Sequence, residues 1–70
     1  MDIEYDNKHT DAAFVWLGAR PATQVIEGEL WPEELQGDVG LLFDSRKRLI
    51  GLEVLFASEH LPLEILKAHS

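Results

Sequence analysis

A chain of 70 residues that is 46% hydrophobic, with five glycines, three prolines and a formal charge of −7, is one small globular domain, too apolar for disorder and too thin in its core for several sites. It contains no cysteine, which excludes disulfide-stapled scaffolds, cysteine-ligated zinc fingers and cysteine nucleophiles. No apolar run approaches the roughly 20 residues of a membrane-spanning helix, and the opening Met1-Asp2-Ile3-Glu4 lacks the basic start of a secretion signal, so a soluble cytoplasmic protein is expected.

The punctuation by Gly, Pro, Asn and Asp recurs at short intervals and predicts short strands. Residues 2–6 alternate in strand fashion, Ile3 and Tyr5 against Asp2, Glu4 and Asp6, before Asp6-Asn7-Lys8-His9 supplies turn chemistry. Residues 12–17 are apolar throughout, as in a strand covered on both faces, and Gly18 ends them. After the connector Ala19-Arg20-Pro21, the β-branched residues of 23–27 predict a third strand. Trp31 to Gly37 reads as one helical turn, with Pro32 at its first position, Glu33 and Glu34 in the first turn and Gly37 closing it. Residues 38–44 and 48–57 flank the polar tip Ser45-Arg46-Lys47 as an antiparallel hairpin. On its second arm Ile50, Leu52, Val54 and Phe56 share one face, while Leu49, Gly51, Glu53, Leu55 and Ala57 share the other. Ser58-Glu59-His60 closes that strand. Pro62 then opens a helix over 63–68, with Lys67 and His69 at its C-terminal end, and Leu61, Ile65 and Leu66 are expected to dock on the sheet. The whole of 1–70 is therefore a single α+β domain: an antiparallel sheet of four or five strands, a C-terminal helix and one short helical turn.

Such a sheet has two faces and few helices to cover them, so a second copy of the chain is the expected cover, a homodimer first of all. Phe14, Trp16, Trp31, Phe56, Leu61 and Ile65 form the expected interaction surface. The alternative is a monomer on which the aromatic side chains fold back as lids.

Asp2-Ile3-Glu4-Tyr5-Asp6, then Asp11-Ala12-Ala13, then Phe43-Asp44 with Arg48-Leu49-Ile50-Gly51-Leu52-Glu53-Val54-Leu55 and Ala57-Ser58, resemble across nearly the whole chain the small bacterial family termed domain of unknown function 2283. In that family a strand ending in Tyr-Asp leads to an Asp-Ala pair and a second strand. An aspartate, a tight turn and a Gly-Arg-Leu-Val-Gly-Ile-Glu-Ile-like strand ending in Ala-Ser then follow. Two positions depart from the pattern: Lys47 replaces the turn glycine, at a cost on the order of 1 kcal/mol if positive φ is required there, and Phe56 replaces an acid. The resemblance implies a fold and a prokaryotic cytoplasmic setting rather than a reaction. Some relatives resemble the small partners in toxin-antitoxin-like gene pairs.

Among the chemical groups, Glu53 stands out, because an ionised carboxylate on an apolar strand face is costly unless paired. Its expected roles are an ion pair with Arg48, Arg46 or Lys8, a bond to a backbone amide, or a ligand site with His9, Asp11 and His60 assembled at an oligomer interface. The three histidines show no metal-ligand spacing, and no phosphate-binding loop or serine elbow is present, so no cofactor and no enzymatic activity are expected. Ser45 and Ser58 lie where hydroxyls serve turns and caps. Thirteen acids against six bases oppose approach to nucleic acid, despite Arg46-Lys47-Arg48. Glu27, Glu29, Glu33, Glu34 and Asp38 instead surround Trp31 and suit a basic protein. The expected function is a non-enzymatic homo-oligomeric interaction module. The alternatives are a small-molecule or metal site at the oligomer interface, and an antitoxin-like partner of a basic toxin.

Overall fold

The computed structural model describes residues 2–18 and 26–69. Strands β1 (Asp2–Asp6), β2 (Ala12–Trp16), β3 (Gly28–Leu30), β4 (Val39–Phe43) and β5 (Leu49–Val54) form one sheet in the order β1-β2-β5-β4-β3, with every pairing antiparallel. A single 3-10 turn occupies Glu33–Leu35, and two helices follow the sheet, α1 (Ala57–His60) and α2 (Leu63–His69). The architecture is α+β, with β5 in the centre of the sheet and the β4–β5 hairpin as its spine. No helix of the described residues is long and apolar enough to cross a membrane.

The register sorts the side chains onto two faces. Tyr5 stands opposite Ala13, Ala13 opposite Val54, and Val54 opposite Val39. This row, with Leu52, receives Ala57 of α1, Leu61, and Leu66 of α2 in one hydrophobic cluster. Leu66 is 3% exposed, and burying a leucine stabilises by about 1.5–3 kcal/mol, enough to hold a seven-residue helix that would not form alone. Leu61 and Ile65 beside it are half-buried. Adjacent residues in a strand point to opposite faces, so the other face carries the row Glu4, Phe14, Glu53 and Gly40. Trp16, Leu42 and Ile50 form a second cluster, with Phe14 packed against it.

Several boundaries differ from the sequence reading. Residues 23–25 of the expected third strand lie outside the described residues; Ile26 and Glu27 are irregular, and the third strand is Gly28–Leu30. The second strand ends at Trp16, leaving Leu17 in a bend. Pro32 is not the first helical residue but the extended cap before it (ψ 136°), and Gln36 (φ 59°) and Gly37 (φ 72°), both left-handed, end the turn. The last strand stops at Val54 instead of Ala57, because Phe56 adopts φ 52° and turns the chain into α1. The Leu55 and Ala57 amides donate to the Asp38 and Asp11 carbonyls, both at 2.7 Å, which secures that turn. Phe56 therefore does not continue the face of Leu52 and Val54. Nor does Ile50: pairing passes from Leu42 opposite Gly51 to Phe43 opposite Leu49, so Ile50 is the extra residue of a bulge. A bulge disrupts strict alternation, and Ile50 packs with Trp16 and Leu42.

Candidate functional site

Within one chain the four residues singled out as a ligand set are not brought together. Asp11, in the left-handed conformation (φ 52°) between β1 and β2, accepts hydrogen bonds from the Tyr5 hydroxyl at 2.6 Å, the Ser58 hydroxyl at 2.6 Å and the Ser58 amide at 3.2 Å. It thus ties the first hairpin to the start of α1, 47 residues away. The Ser58 and Tyr5 hydroxyls hold its carboxyl below the usual aspartate range, and the same contact raises the Tyr5 phenol. His9 is exposed beside Asp6, whose carboxylate takes the Lys8 and His9 amides and the Thr10 hydroxyl. His60 contacts the Asp38 carboxylate at 3.1 Å and so links α1 to the entry of β4. Glu53 stands on the opposite face of the sheet from the Tyr5 row. Among the described residues, no group of three His, Asp or Glu side chains is placed to hold a metal ion. The groove between β3 and the hairpin tip, lined by Glu27, Glu29, Phe43 and Lys47 among others, includes none of the four.

The hairpin tip is built around Asp44. Its carboxylate accepts the Arg46 and Arg48 amides at 2.8 and 3.0 Å and the Arg48 guanidinium at 2.9 Å. The Arg48 amide is the main cause of a lowered Asp44 pKa. Lys47 sits at φ 62°, where glycine is the unstrained residue. Of the basic cluster, Arg48 is thereby engaged within the turn, and Arg46 and Lys47 are exposed.

Glu53 is different. It is half-buried, and among the described residues it has neither a hydrogen-bond donor nor a cation as partner. Burial raises its pKa, and the Glu29 carboxylate raises it further. Its neighbours in register are Phe14 on β2 and Gly40 on β4, and directly opposed side chains in a sheet lie about 4.5–5.5 Å apart at Cβ. Gly40 has no side chain, and the Trp31 ring takes that space: a Cβ at Gly40 would lie 2.6 Å from Trp31 Cζ2 and 2.7 Å from Cε2. Glu53 therefore stands between two aromatic residues, Phe14 on one side and Trp31 on the other. Phe14 in turn stacks on Trp16, with ring centroids 5.6 Å apart and planes within 6°. The sequence reading placed Trp31 in a separate acidic stretch. A glycine opposite a strand glutamate, nine residues after a tryptophan, was the only signal for this approach, and it carries no information without the register.

The expected interaction surface also divides. Phe14, Trp16 and Trp31 lie on the face without a described helix, with Trp16 only 9% exposed. Leu61 packs against the helical-side core, and Phe56 is 50% exposed. No protein-family model, no curated protein and no solved structure matches the chain.

Proposed function

We propose that the protein is a non-enzymatic interaction module that self-associates. The observation carrying this reading is Phe56. It holds a left-handed backbone at φ 52° while half of its surface faces solvent, an arrangement that costs on the order of 1 kcal/mol of backbone strain and leaves a large apolar ring unburied. Strain kept at an exposed aromatic residue marks a position selected for contact. Leu63, 63% exposed at the start of α2, is a second apolar side chain on the helical side that another copy would cover. The residues that resemble domain of unknown function 2283 support a binding role over a chemical one: Tyr5 and Ser58 both donate to Asp11, and Arg48 donates to Asp44. These side chains are engaged in holding turns and helix, which fits a scaffold in the prokaryotic cytoplasm that the resemblance implies.

Sedimentation equilibrium tests the reading. A dimer that dissociates on Phe56→Ser or Leu63→Ser, with unchanged circular dichroism, is the expected result. A chain that stays monomeric over the whole accessible concentration range overturns it.

A further inference from the structure

The row Phe14, Glu53, Gly40 and Trp31 lies outside the contact built on Phe56, and its chemistry indicates a different occupant. We infer that Glu53, flanked by Phe14 and Trp31, receives an arginine side chain from a basic segment of a partner protein. The glycine at position 40 lets the Trp31 ring lie against the sheet beside Glu53, and Phe14 is its register neighbour on the other side, so aromatic residues flank an acceptor that no described residue satisfies. A guanidinium fits this arrangement. It is planar and weakly hydrated, stacks on aromatic faces and donates in pairs to a carboxylate.

Charge complementarity decides the identity of the occupant. The described cations, Lys8, Arg46, Lys47, Arg48 and Lys67, lie in the first turn, the hairpin tip and α2, and none belongs to this row. Glu29 adds a second negative charge close enough to perturb Glu53. A second copy of the chain carries −7 overall, so net charge opposes its approach to this acidic row, and a neutral apolar partner would bury Glu53 without a counter-charge, which is costly. A basic segment gains on both counts and is steered toward the protein by its net charge.

The probe is a blocked Gly-Arg-Gly-Arg-Gly peptide, titrated into the 15N-labelled protein beside its citrulline and lysine counterparts. Shifts are expected to concentrate at the Phe14, Gly40 and Glu53 amides and the Trp31 indole N–H, with the citrulline peptide silent and the lysine peptide weaker. Glu53→Gln is expected to weaken binding about tenfold, or ~1.4 kcal/mol. It is isosteric and removes a charge that has no partner among the described residues, so the fold is retained. Trp31→Leu, checked by circular dichroism, is a second variant expected to lose the response. Absence of shifts, shifts scattered over the surface acids and unaffected by Glu53→Gln, or equal binding of the lysine peptide each overturns the inference. So does protection of this face by self-association, which would leave the dimer reading standing and only its surface changed.

Discussion

Gly51→Ala is the most direct test of how the two faces are packed. Gly51 lies on the central strand opposite Trp16 and Leu42. A Cβ added there would lie 2.8 Å from the Val15 carbonyl oxygen and 3.1 Å from Trp16 Cε3. The first contact is with the backbone of a paired strand, which cannot swing aside as a side-chain tip can. Overpacking of this kind costs about 1–3 kcal/mol, and replacing glycine recovers about 0.4–1 kcal/mol from the unfolded chain, so a net loss of about 1–2 kcal/mol is expected. A 70-residue domain has about 4–10 kcal/mol of stability in all, and each kcal/mol moves Tm by about 4–8 °C. The variant should therefore melt about 5–15 °C below the parent. Thermal denaturation followed by far-UV circular dichroism reads this. Gly28→Ala is the control, since its Cβ would meet only Phe43 Cβ at an ordinary 3.9 Å. A Gly51→Ala protein melting within about 2 °C of the parent, or a Gly28→Ala protein losing as much, would refute the packing.

Lys47→Gly removes a side chain from φ 62° at the hairpin tip and should stabilise by about 1 kcal/mol, seen as a raised urea midpoint with unchanged slope; a lowered midpoint would mean that Lys47 makes a compensating contact. Asp11→Asn weakens the acceptor that holds Tyr5 and Ser58, and should lower Tm by about 4–8 °C at neutral pH, comparable to losing a helix cap. Because the folded-state Asp11 pKa is depressed, this stabilisation is present above the unfolded value near 3.9 and is lost as pH falls through the folded pKa, so parent and variant should converge in acid. Glu53 has the opposite sign. Its folded pKa is raised by burial and by Glu29, so its favourable contribution is present below the unfolded value and is lost as pH rises through the folded pKa. Glu53→Gln should accordingly melt above the parent at pH 7 and level with it near pH 4, and a gap that ignores pH would count against a raised Glu53 pKa.

Much of the architecture was legible in local pattern. Alternation marked β1, the apolar run at Ala12–Trp16 marked β2, and the polar tip between two apolar arms marked the β4–β5 hairpin, because each depends on residues close in sequence. The helix after Pro62 was equally clear, since proline at its start and Lys67 and His69 at its end are local signals. The end of β5 was not legible. Leu55, Phe56 and Ala57 read as strand, and what ends the strand is a pair of hydrogen bonds to Asp38 and Asp11, which come from elsewhere in the chain. The tie between Asp11 and Ser58 was not legible for the same reason, the two being remote in sequence. The prominence of Glu53 was visible as a carboxylate on an apolar strand, but its surroundings were not.

The sequence by itself determined that the chain is cysteine-free, acidic and of α+β class, where β1, β2, the β4–β5 hairpin and the final helix lie, and that one strand carries an exceptional glutamate. Only the tertiary structure decided what those residues face. The skipped pairing at Ile50 moves that side chain to the second cluster, and the register sets Phe14 and Gly40 on either side of Glu53. Strand pairing is set by contacts distant in sequence, and a shift of one residue exchanges the two faces of a strand, so composition and periodicity specify the elements while register specifies the site.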